Sequence, residues 1–247
     1  MHDDFKSKDE LHDSQAKKLC HFVSSPDPCF RLNNKLFSIG MTMNLELFAP
    51  ERCDNVLPYD GIVQDYGLVL SAEHSARYLQ YFLQHLAWQA DEGMLFGQYY
   101  RTQRQVAWYG DEQYQYRYSG ALKQAHVWQP ALWRLKQQVE QWVGHPFNSC
   151  LANLYQDGTQ GLGWHSDDEP NLGKNTVIAS LSFGATRKFS FKHKHTAYKV
   201  DLLLQSGQLL VMRGQTQQYW KHALMKSNKI IQPRINLTFR YFHSTSE

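Results

Sequence analysis

RINLTFRYF, residues 234–242, alternates polar and apolar positions without a break up to its last pair. Successive side chains of a strand point to opposite faces, so Arg234, Asn236, Thr238 and Arg240 share one side of an extended chain. Ile235, Leu237, Phe239 and Tyr241 share the other, which reads as core. The polar side has two readings. Facing water, it is an ordinary solvated surface. Facing into a barrel, it desolvates two guanidinium groups, which then need anionic partners. A dicarboxylate ligand would supply them, since the planar guanidinium fork matches a carboxylate in a bidentate pair. Alternation alone does not choose between the two.

The period of two extends upstream. Runs at 149–155, 176–183, 188–192, 198–204 and 208–212 read as strands, parted by turn signals at Asp157-Gly158, Phe183-Gly184 and Ser206-Gly207. Before Gly144 the period is helical. Ser71 can cap a helix with apolar positions at Ala76, Leu79, Phe82, Leu83 and Leu86. Pro130 opens a second helix, with Leu132, Leu135, Val139, Trp142 and Val143 on one face and a stop at Gly144. Short strands in this number, with two helices, predict an α+β fold with a mainly β core: a sandwich or jelly roll with the helices packed on one outer sheet. Trp88, Trp133 and Trp142 read as core on helix faces.

Composition narrows the class. A hydrophobic fraction of 42% with 14% aromatics is enough for a sizeable core and excludes a wholly disordered chain. No apolar run approaches the roughly 18–20 residues of a membrane span. The N-terminus has no apolar signal-peptide core, so the expected location is cytoplasmic, or nuclear in a eukaryote. Cys20, Cys29, Cys53 and Cys150 form no C-x-x-C pair and read as reduced structural thiols. The net charge of +3 conceals an asymmetry: residues 1–100 hold 8 Lys and Arg against 14 Asp and Glu, and residues 101–247 hold 18 against 9. A basic half with interspersed aromatics suits a phosphate backbone and stacked bases, or is simply a solvated surface.

The metal-ligand pattern is His165-Ser166-Asp167 with His222 downstream. Two imidazoles and one carboxylate can occupy one face of an iron(II) ion and leave three positions open for a chelating co-substrate and oxygen. In isolation the motif is weak. With 12 histidines, about 0.6 chance H-x-D matches are expected, and His2 with Asp4 is one.

Its surroundings add specificity. NLYQDGTQGLGWHSDDE, IASLSFGATRKFSFKHK, SGQLLVM, WKHAL and PRINLTFR follow one another in order. Together they resemble the AlkB family of Fe(II)/2-oxoglutarate-dependent dioxygenases, most nearly its duplex-DNA repair branch. The likeness covers about residues 90–243 and leaves the first 45 residues outside. It implies a double-stranded β-helix with an N-terminal nucleotide-recognition lid. It implies His165, Asp167 and His222 as the iron ligands, and Asn153 and Tyr155 as contacts to 2-oxoglutarate. Arg234 falls on the arginine that pairs with the co-substrate's distal carboxylate, and Asn236, Thr238 and Arg240 complete that wall.

For the substrate, the resemblance implies a lid at Tyr116-Arg117-Tyr118-Ser119-Gly120, where Tyr118 stacks on a flipped base and Tyr116 contacts the backbone. Phe96, Gly97 and Gln98 match a hairpin that carries an aromatic wedge into a duplex. Asp168 and Glu169 place an acid near the lesion. Tyr99, Tyr100, Arg101 and Trp108 depart from the pattern, and bear on duplex preference more than on reaction. His193 and His195 lie in a basic stretch expected to meet phosphate or solvent rather than metal. Residues 1–45, polar and aperiodic, read as a flexible arm. Residues 46–247 read as the oxygenase domain, with helices and lid in 46–145 and the jelly-roll core in 146–247.

The implied activity is oxidative removal of N-methyl groups from 1-methyladenine and 3-methylcytosine in alkylated DNA, single- or double-stranded, by a monomer using iron, 2-oxoglutarate and O2. Formaldehyde and succinate are its products. Two alternatives stand beside it: the same chemistry on RNA or protein, and an inactive nucleic-acid-binding module.

Overall fold

The computed structural model describes residues 55–95, 98–118 and 121–244, without the side chains at 94–95, 116–118 and 121–122. The expected arm, 1–45, lies outside the described residues, as do Cys20, Cys29 and Cys53. In chain order the first elements are β1 (Ile62–Leu68), α1 (Ala72–His85), β2 (Gln89–Leu95), β3 (Gln98–Gly110), β4 (Gln115–Tyr118), β5 (Ala121–Gln124), β6 (His126–Val127) and α2 (Pro130–Val143). There follow β7 (Ser149–Tyr155), β8 (Leu162–His165), β9 (Ile178–Gly184), β10 (Arg187–His193), β11 (Lys199–Leu204) and β12 (Gln208–Arg213). A single helical turn, α3 (Thr216–Tyr219), leads into β13 (Trp220–Leu224), and β14 (Arg234–Arg240) ends the series.

Two sheets face each other. The major one runs β1-β12-β9-β14-β7-β3-β2, with β6 beside β3, and the minor one runs β11-β10-β13-β8. Their pairings are antiparallel except that of β3 with β6, as a jelly roll requires. The core has two layers. Outside the major sheet, Phe82 of α1 and Leu132, Leu135, Val139 and Val143 of α2 pack on Ala152, Leu181, Val211, Ile235, Leu237 and Phe239. Between the sheets, Tyr155, Ile178, Leu210 and Met212 meet Phe189, Phe191, Leu204, Trp220 and Leu224. The apolar side of β14 therefore faces the helices, and its polar side faces the space between the sheets.

Local signals explain the helices. Ser71 caps α1 by accepting the His74 N–H at 3.2 Å. Pro130 sits in the first turn of α2, and Gly144 ends it in the left-handed region at φ 66°, donating to the Glu140 carbonyl at 2.8 Å. Within α1 the buried stripe differs from expectation: Ala76 is exposed and Ser75 is fully buried. The cause is close approach by the turn before β12. A Cβ at Gly207, whose φ is 85°, would lie 2.5 Å from the Ser75 hydroxyl, so only a small side chain fits there.

Other expectations need correction. Trp133 is 42% exposed and Tyr241, just past β14, is 39% exposed; neither is core. Trp88 and Trp142 do pack against the outer layer. Residues 46–145 hold more than helices and a lid, since β1, β2 and β3 join the sheet that carries β7 and β14. Their sequences hid this. β3 carries Arg104, Val106 and Trp108 on a face turned to a cavity, which blurs the apolar alternation a strand usually shows.

Phe82→Ala is expected to cost about 3–5 kcal/mol in urea unfolding by opening a void in the outer layer. Ala76→Glu should stay within about 0.5 kcal/mol. Equal losses in the two variants would contradict the observed stripe.

Candidate active site

β8 and β13 pair antiparallel with an irregularity in register between His222 and Leu224, and His165 stands directly opposite His222. The two rings stand 4.2 Å apart at 63°. Asp167, two residues beyond His165, brings Oδ1 to 3.6 Å from His165 Nε2 and 3.9 Å from His222 Nε2. One ligand atom from each of the three lies within 4.8 Å of the others, so one ion could touch all three. His165 Nδ1 stands 2.8 Å from the Gly163 carbonyl, which fixes the ring with Nε2 toward Asp167. Burial pushes His222 down to about 3, aided by the neighbouring His165, so the imidazole stays neutral as a ligand must.

Asp167 is buried, and burial alone would raise its carboxyl. Arg240 wins instead, with help from both histidines, and holds it well below the usual carboxylate range. The guanidinium donates to Asp167 Oδ2 through Nη2 at 2.6 Å and Nε at 3.2 Å. That leaves Oδ1 to the imidazoles. Gln217 Oε1 accepts the Asp167 N–H at 2.9 Å and pins the backbone as well.

The other expected residues lie on β7 and β14, in register. Tyr155 is opposite Arg234, and Asn153 opposite Asn236. Asn153, Tyr155, Asn236, Thr238 and Arg240 line, with His165, Asp167 and His222, a cavity of about 260 Å³. Arg234 does not line it. Its guanidinium is 1% exposed beside the Tyr155 ring, 5.9 Å from ring centre to Cζ. Nη2 donates to Ser182 Oγ at 2.9 Å, while Nε and Nη1 have no partner among the described residues. Burial pushes this group down to about 10, still charged at neutral pH. A buried cation with idle donors is costly, and the distal carboxylate of a small diacid is the group that would satisfy it. This orphaned guanidinium, packed beside the Tyr155 ring that itself lines the cavity, fits 2-oxoglutarate. Asn236 is partly engaged already, donating to Ser180 Oγ at 2.9 Å and the Leu181 carbonyl at 3.2 Å.

Toward the substrate the picture is mixed. Glu169 lines the cavity, and burial, with Asp167 nearby, raises its carboxyl. Asp168 does not line it; its side chain is 68% exposed, 3.9 Å from Lys194. Gln98 is exposed at the start of β3, opposite Leu95. Phe96 and Gly97, which join β2 to β3, lie outside the described residues, as do Ser119 and Gly120. Tyr116 and Tyr118 fall on β4, paired with β5 across from Lys123 and Ala121. His193 is no surface residue: it is 3% exposed, its Nε2 3.3 Å from Asp60 and its Nδ1 accepting the Thr196 N–H.

Sequence reasoning missed a charged cluster lining the same cavity. Arg104 grips Asp91 with one arm and the Asn153 side-chain oxygen with the other, and Lys123 reaches Asp91 at 3.3 Å. Arg187 was also missed. It is fully buried and donates to the carbonyls of Asp157, Gly158, Gln160 and Met225, which ties two loops together. Single charged residues inside strand-like runs give no signal of this kind in one sequence.

Residues 66–240 match the family described as the 2OG-Fe(II) oxygenase superfamily. The chain belongs to that family. Within it, similarity runs to AlkB homologues. Alpha-ketoglutarate-dependent dioxygenase alkB homolog 3 of Bos taurus is 42% identical over 162 residues, which are 62% of this chain and 56% of that one. Its Homo sapiens counterpart is 40% identical over 171 residues, 66% and 59%. DNA oxidative demethylase ALKBH2 of Mus musculus is 34% identical over 192 residues, 73% of this chain and 80% of that one. The chain thus spans under two thirds of the alkB homolog 3 relatives and most of the mouse ALKBH2. Among solved structures, one described as "The structure of OsALKBH1" superposes with a TM-score of 0.53 at 16% identity, over 72% of this chain and 96% of that chain. It shares the fold. The family's name supplies the group that the site fits: iron(II) with 2-oxoglutarate. No helix among the described residues is long and apolar enough to cross a membrane.

Asp167→Ala should abolish Mn(II) binding in calorimetry and lower stability by about 3 kcal/mol, because the buried ion pair with Arg240 is lost. His165→Ala should abolish binding at a cost under about 1 kcal/mol, since that side chain is 32% exposed. Retained Mn(II) affinity in either variant would exclude this triad as the ligand set.

Proposed function

We propose that this chain oxidatively demethylates N-alkylated bases, 1-methyladenine and 3-methylcytosine, in DNA. The observation that carries the reading is the convergence of His165, Asp167 and His222 on one cavity, with the idle, buried guanidinium of Arg234 beside Tyr155, which lines that cavity. Iron(II) and 2-oxoglutarate, when bound, supply the oxidising power: O2 converts the co-substrate to succinate and CO2 and the N-methyl group to N-hydroxymethyl, which departs as formaldehyde. The names of the relatives, alpha-ketoglutarate-dependent dioxygenase and DNA oxidative demethylase, support this choice of reaction and substrate.

The residues divide the work. The two imidazoles and Asp167 Oδ1 would hold the metal, and Arg240 keeps the other carboxylate oxygen engaged. Arg234, with the Tyr155 ring packed beside it, would take the far carboxylate of the co-substrate. Leu162, Phe189, Met212 and Leu224 line the cavity and keep water from the reacting methyl group. Both proposed lesions are cations at neutral pH, and Glu169 is the acid in the cavity available to meet one. Asp168, being outside, has no part in this reading.

The experiment is a formaldehyde-release assay on oligonucleotides carrying 3-methylcytosine, as DNA and as RNA, with succinate measured in parallel. Equal amounts of both products from DNA are expected, falling at least a thousandfold in His165→Ala while most oligonucleotide affinity remains, because phosphate contacts dominate that affinity. Succinate without formaldehyde would remove methylated bases as the substrate. RNA turnover far above that of DNA would move the substrate class.

A second expectation concerns Arg104. Its grip on the Asn153 oxygen turns the Asn153 amide N–H groups away from that contact. Arg104→Ala should raise the Kd for 2-oxoglutarate about tenfold in the Mn(II)-loaded protein, with Mn(II) affinity unchanged. An unchanged Kd would show that Arg104 does not position Asn153.

A further inference from the structure

The outer face of the minor sheet carries a row of cations. Lys192 on β10 lies directly opposite Lys199 on β11 and directly opposite Lys221 on β13. Phe191, Val200, Trp220 and His222 turn inward, so these three lysines turn outward together. Like charges directly opposite one another destabilise a sheet, so the row does nothing for the fold. Lys192 and Lys221 have no ion pair among the described residues. Their neighbour Lys188 differs, being held by Asp201 at 2.6 Å.

Trp164 completes the surface. It is half-buried on β8, the edge strand next to β13, and Lys199 Nζ lies 6.0 Å from its ring centre. The next residue along β8 is His165, which lines the cavity. A base-sized aromatic platform therefore borders both the cationic row and the metal site. Three lysines at the usual strand spacing span about 10 Å, the length of about three stacked nucleotides.

We infer that this face binds a single-stranded nucleic-acid segment flanking the base in the cavity, with phosphates along Lys199, Lys192 and Lys221 and one base against Trp164. A sheet face with cations beside a half-buried ring suits a single strand, whose bases are free to stack on protein. The inference rests on the proposed nucleic-acid substrate for its direction, yet it is tested without turnover.

The measurement is fluorescence anisotropy with unmodified oligothymidylate over a range of salt, on metal-free protein. Replacing Lys192, Lys199 and Lys221 together by Gln should reduce the slope of log affinity against log salt by about 2, since each single-strand phosphate contact contributes about 0.7. Lys188→Gln, the control, should change it by less than about 0.5. Trp164→Ala should weaken binding about tenfold and leave the slope unchanged. Thermal melting and Mn(II) binding confirm that each variant is folded. An unchanged slope in the triple variant, or a loss seen only with duplex DNA, would overturn the inference. Failure of formaldehyde release with these slopes intact would sink the proposed reaction and leave the surface standing.

Discussion

The pairing of Arg240 with Asp167 is the constraint on which the site depends. Asp167 is nearly excluded from water, and without a partner its carboxyl would take up a proton and lose the charge that a metal ligand needs. Arg240 prevents this and takes one oxygen for itself, so the other is left facing His165 and His222. The two residues belong to different sheets' territory: Arg240 ends β14 of the major sheet, and Asp167 follows β8 of the minor one. This ion pair thus ties the His165–Asp167–His222 cluster to the wall opposite it.

The layered core makes that wall possible. Because the helices cover the apolar side of β14, its polar side is free to face the interior, where a solvated strand would have faced water. Arg234 and Arg187 then share a dry region around Tyr155, and the structure treats them differently. Arg187 donates to four carbonyls through Nη1 and Nη2, with Nε alone idle among the described residues, and acts as a staple. Arg234 keeps two idle donors, which is the state of a group waiting for an anion.

Much of this was legible in sequence, for identifiable reasons. β7 begins and ends where its alternation does, and Pro130 and Gly144 mark α2 because each residue does at a helix end what others do poorly. The question that alternation left open in β14 was settled by what lies on each side, which a lone strand cannot reveal. Three kinds of feature stayed hidden. β3 was missed because one of its faces carries Arg104 beside Val106 and Trp108 into a cavity. The burial of Ser75 in place of Ala76 depends on a turn more than 130 residues away, at Gly207. The grip of Arg104 on Asp91 and Asn153, like the lysine row, exists only through strand register, and registers are tertiary facts.

Anomalous diffraction from crystals grown with Mn(II) and 2-oxoglutarate tests the central claim most directly. A single strong peak bonded to His165, Asp167 and His222, with a carboxylate of the diacid on Arg234, is the predicted result. A metal peak elsewhere, or an Arg234 guanidinium that closes on protein oxygens while the diacid lies apart, would contradict it.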